Sequence, residues 1–459
     1  MAPGRITGLA GATTAVAESV EGVYNNAAAP AVRESHSVRW FEWEPSVGIA
    51  FPGAYGGTDF NNRGEKGIER QVERNRRLGI QKPPTVETTD RFLYLQAGLW
   101  GQFGPLGISA TGDQIRYDVA AQTEATPSLS LALTRIHLVA AWAFLKNQIC
   151  VGAGARMVIV NVDGLNNDLG AVIAMFGAAP QVGVIVKPED VPWRIGMTAR
   201  APVEAGPLSA GRVSEEIRTD GTVIRRAGTF ILPERITQPW EVEAGIAYQF
   251  GPRPLNPLWI NPRDHEREEE AHIERVRRAR HVAQRAELAA IDDESARALR
   301  AEAIRREEQM ATAIEGAQLA HASKTLIEQR KARYLNWPRE RVMVLASVLM
   351  TGPSEQAVAI EAFIDQRREI VGQRVGVSPR VAIETEPVSN LLKFRGGFYV
   401  EPSRFADGTS RQHFTFGTDV RLFAWDVFGI ISERSWRLSA FVDMSPRYQN
   451  FGFGIGPWH

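Results

Sequence analysis

The chain has almost no cysteine. Cys150 is the single one in 459 residues, which excludes an internal disulfide framework and any cysteine-based metal cage. It has no excess of charge either. The 53 Lys and Arg balance 53 Asp and Glu, so the clustered positive field of a nucleic-acid surface is not expected. No run of about 18 apolar residues is present, hence no transmembrane helix is expected. A membrane β-barrel is not excluded, because it shows only short alternating segments. Histidine is scarce at eight, and His265, His272, His281 and His321 all fall in one charged segment. His272 and His281 do not share a helix face. There is no His-Glu-x-x-His, no CxxC and no GxxxxGK[ST] phosphate loop. No metal site, no cofactor and no convergent catalytic set is expected, so the chain reads as a non-enzyme. The opening Met1-Ala2-Pro3-Gly4-Arg5 lacks the apolar core of a secretory leader.

What is present is alternation. At 240–250, Trp240, Val242, Ala244, Ile246, Tyr248 and Phe250 oppose Glu241, Glu243, Gly245, Ala247 and Gln249. The stretches 193–200, 413–423 and 436–444 repeat the pattern, which is the signature of strands with one apolar and one polar face. Further strands are expected near 38–51, 91–103, 107–119, 129–144, 149–162, 181–187, 340–350, 379–386, 391–400 and 447–458. With 223–232 counted as an irregular approach to strand 240–250, this makes about 14 main strands. Alternation alone fits both a soluble sandwich with a wet face and a membrane barrel with a polar lumen. Short turns (104–107, 146–148, 188–192, 387–390) alternate with long connections (52–90, 164–180, 203–222, 352–376, 401–411), which suits an outer-membrane barrel.

Two segments depart from the β pattern. Residues 264–333 contain no proline, one glycine (Gly316), 15 acidic and 14 basic residues, and read as two long solvated helices. Asp292-Asp293-Glu294-Ser295 supplies the break and an N-cap. This arm is either a simple helical hairpin or a docking arm for a protein partner. Residues 354–371 read as an amphipathic helix with Phe363 and Ile364 on its apolar stripe. Thr13–Ala29 reads as one small-residue helix or two short ones. The connection 164–180 is unusually apolar, with Leu169, Val172, Ile173, Met175 and Phe176, and is read as packing over a barrel mouth or as a landing site for a hydrophobic ligand. On the polar strand faces, Arg194, Arg200, Glu241, Glu243, Arg421 and Asp443 are candidates for an ion-pair network in a lumen. Cys150 is read as a small buried filler.

The N-terminal stretch Gly8-Leu9-Ala10-Gly11-Ala12 through Ala17-Glu18-Ser19, followed by Val23-Tyr24-Asn25-Asn26-Ala27-Ala28, resembles the plug segment of the FadL family of outer-membrane transporters. Asn26-Ala27-Ala28 stands where that family has Asn-Pro-Ala. Trp193-Arg194-Ile195-Gly196-Met197-Thr198-Ala199-Arg200, Leu232-Pro233-Glu234 with Pro239-Trp240-Glu241, and Val377-Ser378-Pro379-Arg380 resemble its later strands in the right order. The resemblance implies an all-β transmembrane fold. It would be an antiparallel outer-membrane barrel of about 14 strands, with a plug (1–35), two barrel parts (36–262 and 337–459) and an inserted charged helical hairpin (263–336) at a periplasmic turn.

It further implies passive transport of long-chain fatty acids or similar hydrophobic molecules in a Gram-negative-type outer membrane, without cofactor. The partners are then a hydrophobic small molecule or lipid, the outer-membrane lipid, a possible periplasmic protein at 264–333, and no nucleic acid. Ile6, Leu9, Val16, Val20 and Val23 of the plug would touch ligand. A non-transporting barrel that scaffolds a protein complex through the hairpin, and a soluble β-rich binding protein, are the alternatives.

Overall fold

The computed structural model describes residues 4–33, 39–52, 90–119, 129–164, 171–209, 213–217, 223–227, 230–257, 261–359, 368–406, 408–427, 431–458 and a few isolated positions between them. The chain divides into two units.

The larger unit is a β-barrel. Its strands are β1 (Phe41–Ala50), β2 (Asp90–Phe103), β3 (Leu106–Val119), β4 (Leu129–Phe144), β5 (Ile149–Gly164), β6 (Ala171–Val186) and β7 (Trp193–Arg200), then β13 (Glu241–Phe250), β14 (Val342–Thr351), β15 (Gly376–Val388), β16 (Leu392–Glu401), β17 (Arg411–Val427), β18 (Ile431–Ser445) and β19 (Tyr448–Pro457). Each pairs antiparallel with its neighbours. β1 pairs with β19, and β6 pairs with β7, so the ladder closes into a 14-strand ring with no free edge. Between β7 and β13 the chain forms short strands: β8 (Val203–Ser209), β9 (Val213–Ile217), β10 (Val223–Ala227), β11 (Phe230–Ile231) and β12 (Ile236–Gln238). β8 adds to β6, while β9 to β11 form a small sheet of their own.

Alternation sorts the side chains. Leu99, Leu138, Val182, Ile195, Val344 and Phe416 are exposed on the outside, and their neighbours in sequence turn inward. Trp142 and Phe144 at the end of β4 and Tyr248 and Phe250 at the end of β13 are exposed, as an interfacial aromatic girdle requires. The inward set is polar: Gln96, Asp113, His137, Arg156, Thr198 and Glu384 are buried. An apolar exterior around a charged interior reverses the soluble pattern, because lipid replaces water outside.

The lumen is filled by residues 4–33. Of the one helix or two short ones expected over 13–29, only short helical turns form. The segment coils through short helices α1 (Arg5–Gly8) and α2 (Ser19–Gly22) and a 3-10 turn, Ala29–Ala31. A continuous helix would satisfy its own carbonyls. Here those of Gly11 and Thr14 instead accept from Asn25 and Asn26, and that of Tyr24 accepts from Arg200 of the wall. Small residues permit the fit: a Cβ on Gly152 of β5 would lie 1.9 Å from the Ala27 carbonyl oxygen.

One expectation is corrected. Residues 171–180 are not loop; they are the first part of β6, and β5 runs to Gly164. Their apolar residues are strand residues facing a packed interior or the outside. Within 354–371, Glu355 and Gln356 form a turn, Ala362 is helical, 360–361 and 363–367 lie outside the described residues, and Val358 bridges Ile370. β-branched side chains at both positions fit a strand pair better than a helix face.

The second unit comprises Ser35–Glu42 and Leu258–Trp337, inserted between neighbouring strands β13 and β14. It contains α3 (Pro262–Ala289) and α4 (Glu294–Asn336), packed on each other. Asn261 and Asp293 cap them, each side chain accepting a backbone N–H of the first turn. The core between them is thin, Ile273 and Ile304 being buried. Ion pairs cross between the helices: Glu315 takes Arg277 at 2.7 Å and Arg280 at 2.9 Å, and Glu287 takes Arg300 at 2.7 Å. Glu287 is exposed and Arg300 half-buried, which keeps that pair's contribution small, whereas Glu315 is buried between its two arginines.

Candidate functional site in the barrel lumen

The plug seals the end of the lumen that carries the tight turns. Trp100 Nε1 donates to the Pro30 carbonyl at 2.8 Å, and Gln102 and Asn147 both donate to the Ala31 carbonyl. Arg33 reaches the Gly104 carbonyl of one turn, while Lys187 of another donates to the Arg33 carbonyl. Asn26 is fully buried. Its amide nitrogen reaches the carbonyls of Val184 on β6 and Met197 on β7, and its oxygen accepts from the Ala28 N–H. The Asn26-Ala27-Ala28 segment therefore sits on the seam where β6 and β7 close the barrel.

Ion pairs hold the plug from the side. Glu18 meets Arg194 at 2.6 Å, Glu21 meets Arg437 at 2.7 Å, and Arg5 meets Glu384 at 3.0 Å. Burial pushes the Glu18 carboxyl up, but the cations of Arg194 and Arg5 outweigh it and hold it down at about 2. Farther along the wall Asp419 takes both arms of Arg395 and a third bond from Arg437 at 3.1 Å.

Above the plug lies a cavity of about 460 Å³ with charged walls. Arg156 and Arg200 both donate to the same oxygen of Glu241, each at 3.1 Å. Glu243 accepts from Ser347 at 2.8 Å and Arg380 at 3.4 Å. His413 lies between Asp443 at 2.8 Å and Glu401 at 2.9 Å, stacked on the Tyr399 ring. A second cavity of about 490 Å³ shares Leu349, Arg380, Tyr399, Glu401, Pro402 and Arg404 with the first. The two chambers are contiguous.

The structure brings together some of the residues expected from sequence and separates others. Arg200, Glu241, Glu243 and Asp443 line the inner chamber, and Arg194 is in the lumen against the plug. Arg421 is elsewhere: it bonds Ser435 and the Asn390 carbonyl near a turn, because the strand end carries it past the charged tier. Of the apolar plug residues, Ile6 faces the chamber. Leu9 and Val16 are packed in one apolar cluster and Val23 in another, and Val20 lies against Gly98. Ile173 and Met175 are buried in a third cluster, while Phe176 is exposed on the outside. Leu169, Phe363 and Ile364 lie outside the described residues, as does the side chain of Val172. Cys150 is buried against the plug beside the Ala31 carbonyl. Among the described residues no group of three potential metal ligands occurs.

The sequence reading missed Arg156, His413, Glu401 and Arg404. Arg156 and His413 carry the alternation signal, being polar residues on the inward face of a strand. Arg404 lies between strands and carries none.

A closed antiparallel ring, apolar outside and charged inside with its own N-terminal segment in the lumen, is the architecture of an outer-membrane barrel. No family model and no curated protein matches the chain. In fold it is similar to a Pseudomonas aeruginosa FadL homologue, with 9% identity, a TM-score of 0.49, and 99% of this chain and 98% of that one covered. It is also similar to the P. putida toluene transporter TodX, with 10% identity, a TM-score of 0.46 and 100% and 99% covered. A third is the Ralstonia pickettii toluene transporter TbuX, with 10% identity, a TM-score of 0.44 and 98% of each chain covered.

Proposed function

We propose that this chain is a passive outer-membrane conduit for hydrophobic small molecules, long-chain fatty acids being one candidate class, and that residues 4–33 are its gate. One observation carries the reading. The plug closes one end of a lumen that holds two contiguous chambers, and its seat joins hydrogen bonds and ion pairs to apolar packing of Leu9, Val16 and Val23, while the strand ladder of the barrel closes without it. Passage of this kind needs no bond chemistry and no cofactor. The apolar body of a cargo gains about 25 cal/mol per Å² on leaving water, and the gradient sets direction.

A second reading, a scaffold for a protein complex at 264–333, draws support from the exposed faces of α3 and α4 and their thin core.

One experiment separates the two. Uptake of labelled oleate and labelled toluene is measured in intact cells of a Gram-negative host carrying the full chain, the chain lacking 264–333, or neither. Passage predicts several-fold faster entry of at least one tracer with the full chain and with the shortened one. Entry no faster than in the empty host contradicts passage. Entry lost with 264–333 shows that the hairpin belongs to the conduit and counts against a separate scaffold role.

A further inference from the structure

The charges on the chamber wall do not cancel. The pairs Glu243–Arg380 and Asp113–Arg135 are each neutral. Glu401 and Asp443 are matched by Arg411 and by His413, whose two ring nitrogens each face a carboxylate oxygen. Among the described residues of the first chamber, with His413 protonated between its two carboxylates, two positive charges are left over. The first arises because Arg156 and Arg200 share the single carboxylate of Glu241. The second is Arg404. Among the described residues its guanidinium makes no ion pair, and it stands where the two chambers meet.

Arg404 is also held in place. Its carbonyl accepts the Gly372 N–H at 2.7 Å, and its guanidinium lies across Gly372, where a Cβ would come within 2.7 Å of Nη2. Gly372 has φ +73°, a conformation that leaves that surface bare at little cost. An unpaired guanidinium over a cavity whose deeper end holds a second surplus cation is a binding arrangement for negative charge. The rest of the wall mixes the rings of Tyr24, Tyr399 and Tyr448 with small or polar groups such as Ala10, Asn25 and Gln238. Charged groups interrupt it on most sides, so an extended alkyl chain would lie against guanidinium and carboxylate groups. A compact anion would set a carboxylate, not an alkyl chain, against the guanidinium groups.

We propose that the lumen recognises a compact organic anion, an aromatic or short-chain mono- or dicarboxylate, with Arg404 as the outer contact and the Arg156–Arg200 pair as the inner one. This rests on the passage reading and narrows its cargo.

The probe is phthalate, a compact dianion, compared with its neutral dimethyl ester. Both are tested by equilibrium dialysis against the purified full-length protein in neutral detergent. Phthalate uptake into cells bearing the protein is measured in parallel. The expected result is saturable phthalate binding that weakens with added salt. Arg404→Gln should weaken it about tenfold, the scale of one charge-assisted contact, and leave the ester unaffected. Arg404 has no ion pair to lose, so the variant keeps its fold; Arg404→Lys, which retains the charge, should recover part of the affinity. The proposal is overturned if phthalate binds no better than the ester, or if Arg404→Gln binds it as the parent does. Binding that depends on Arg404 without faster uptake would keep the anion site and remove passage. Uptake of oleate or toluene without phthalate binding would keep passage and remove the anion site.

Discussion

Deleting residues 1–33 will turn a closed barrel into an open pore. In planar lipid bilayers the full chain is expected to pass little current, and the shortened chain steady, ohmic current roughly tenfold larger or more, as a water-filled ring of this size allows. The ring does not depend on the plug for its backbone bonds. Its ladder is continuous from β6 through β1 and β19 back to β7. What the plug satisfies are side chains that water in an open lumen would also satisfy: Trp100, Gln102 and Asn147 at the floor, and Arg194 and Arg437 at the side. The shortened chain should therefore still migrate as a heat-modifiable barrel. Equal conductance in the two proteins would mean that residues 4–33 do not occlude the lumen.

The second large effect concerns stability. Asp419 is fully buried and receives two bonds from Arg395, one from Arg437 and one from Ser439 at 2.7 Å. Asp419→Ala removes the shared anion and leaves two guanidinium groups facing each other in a buried tier. Breaking a buried pair from one side typically costs about 3–5 kcal/mol, more than the intact pair contributes, because the desolvated partner stays behind. Arg395 keeps one bond, to Glu384 at 2.7 Å, and Arg437 keeps Glu21, so the loss should fall in the lower part of that range. The unfolding midpoint in denaturant should drop clearly for Asp419→Ala and less for Asp419→Asn, which retains an oxygen. An unchanged midpoint for Asp419→Ala would show that the tier is hydrated and the network ornamental. Because Arg437 also holds Glu21 of the plug, Asp419→Ala should raise the leak current as well.

The barrel was legible because its signal is local. Alternation such as Val242/Glu243/Ala244 is set by the two-residue period of a strand, and it survives whether water or lipid lies outside. The arm at 264–333 was legible for a similar reason, since residues that favour helix continue without proline through α3 and α4. The plug's presence was legible by resemblance, but its path was not. Thr13–Ala29 has helical composition, and what breaks the helix is distant: Arg200 takes the Tyr24 carbonyl, and Asn26 is drawn to the seam of β6 and β7.

The stretch 171–180 misled because β6 is apolar on both faces. Met175 enters a buried cluster and Phe176 faces outward, so no alternation marks it. The chamber itself was half legible. Arg200, Glu241, Glu243 and Asp443 lie on recognisable strands, but their convergence depends on barrel closure, and Arg404 depends on a loop fold that no periodicity encodes.

The central claim is that cargo moves only when the plug moves, and a reversible staple tests it most directly. A Cβ built on Gly98 of β2 falls 2.5 Å from Cγ2 of Val20 in α2 and 2.8 Å from Cγ2 of Thr111 in β3, so Val20→Cys with Gly98→Cys, on a Thr111→Ser background that removes the methyl, brings two sulfurs within bonding reach. Cys150 is buried and stays out of the exchange. Tracer uptake is measured in cells carrying this variant, before and after reduction. The account predicts that the oxidised protein admits no more tracer than the empty host and that dithiothreitol restores entry to the parent rate. Equal entry with the staple closed and open would contradict it.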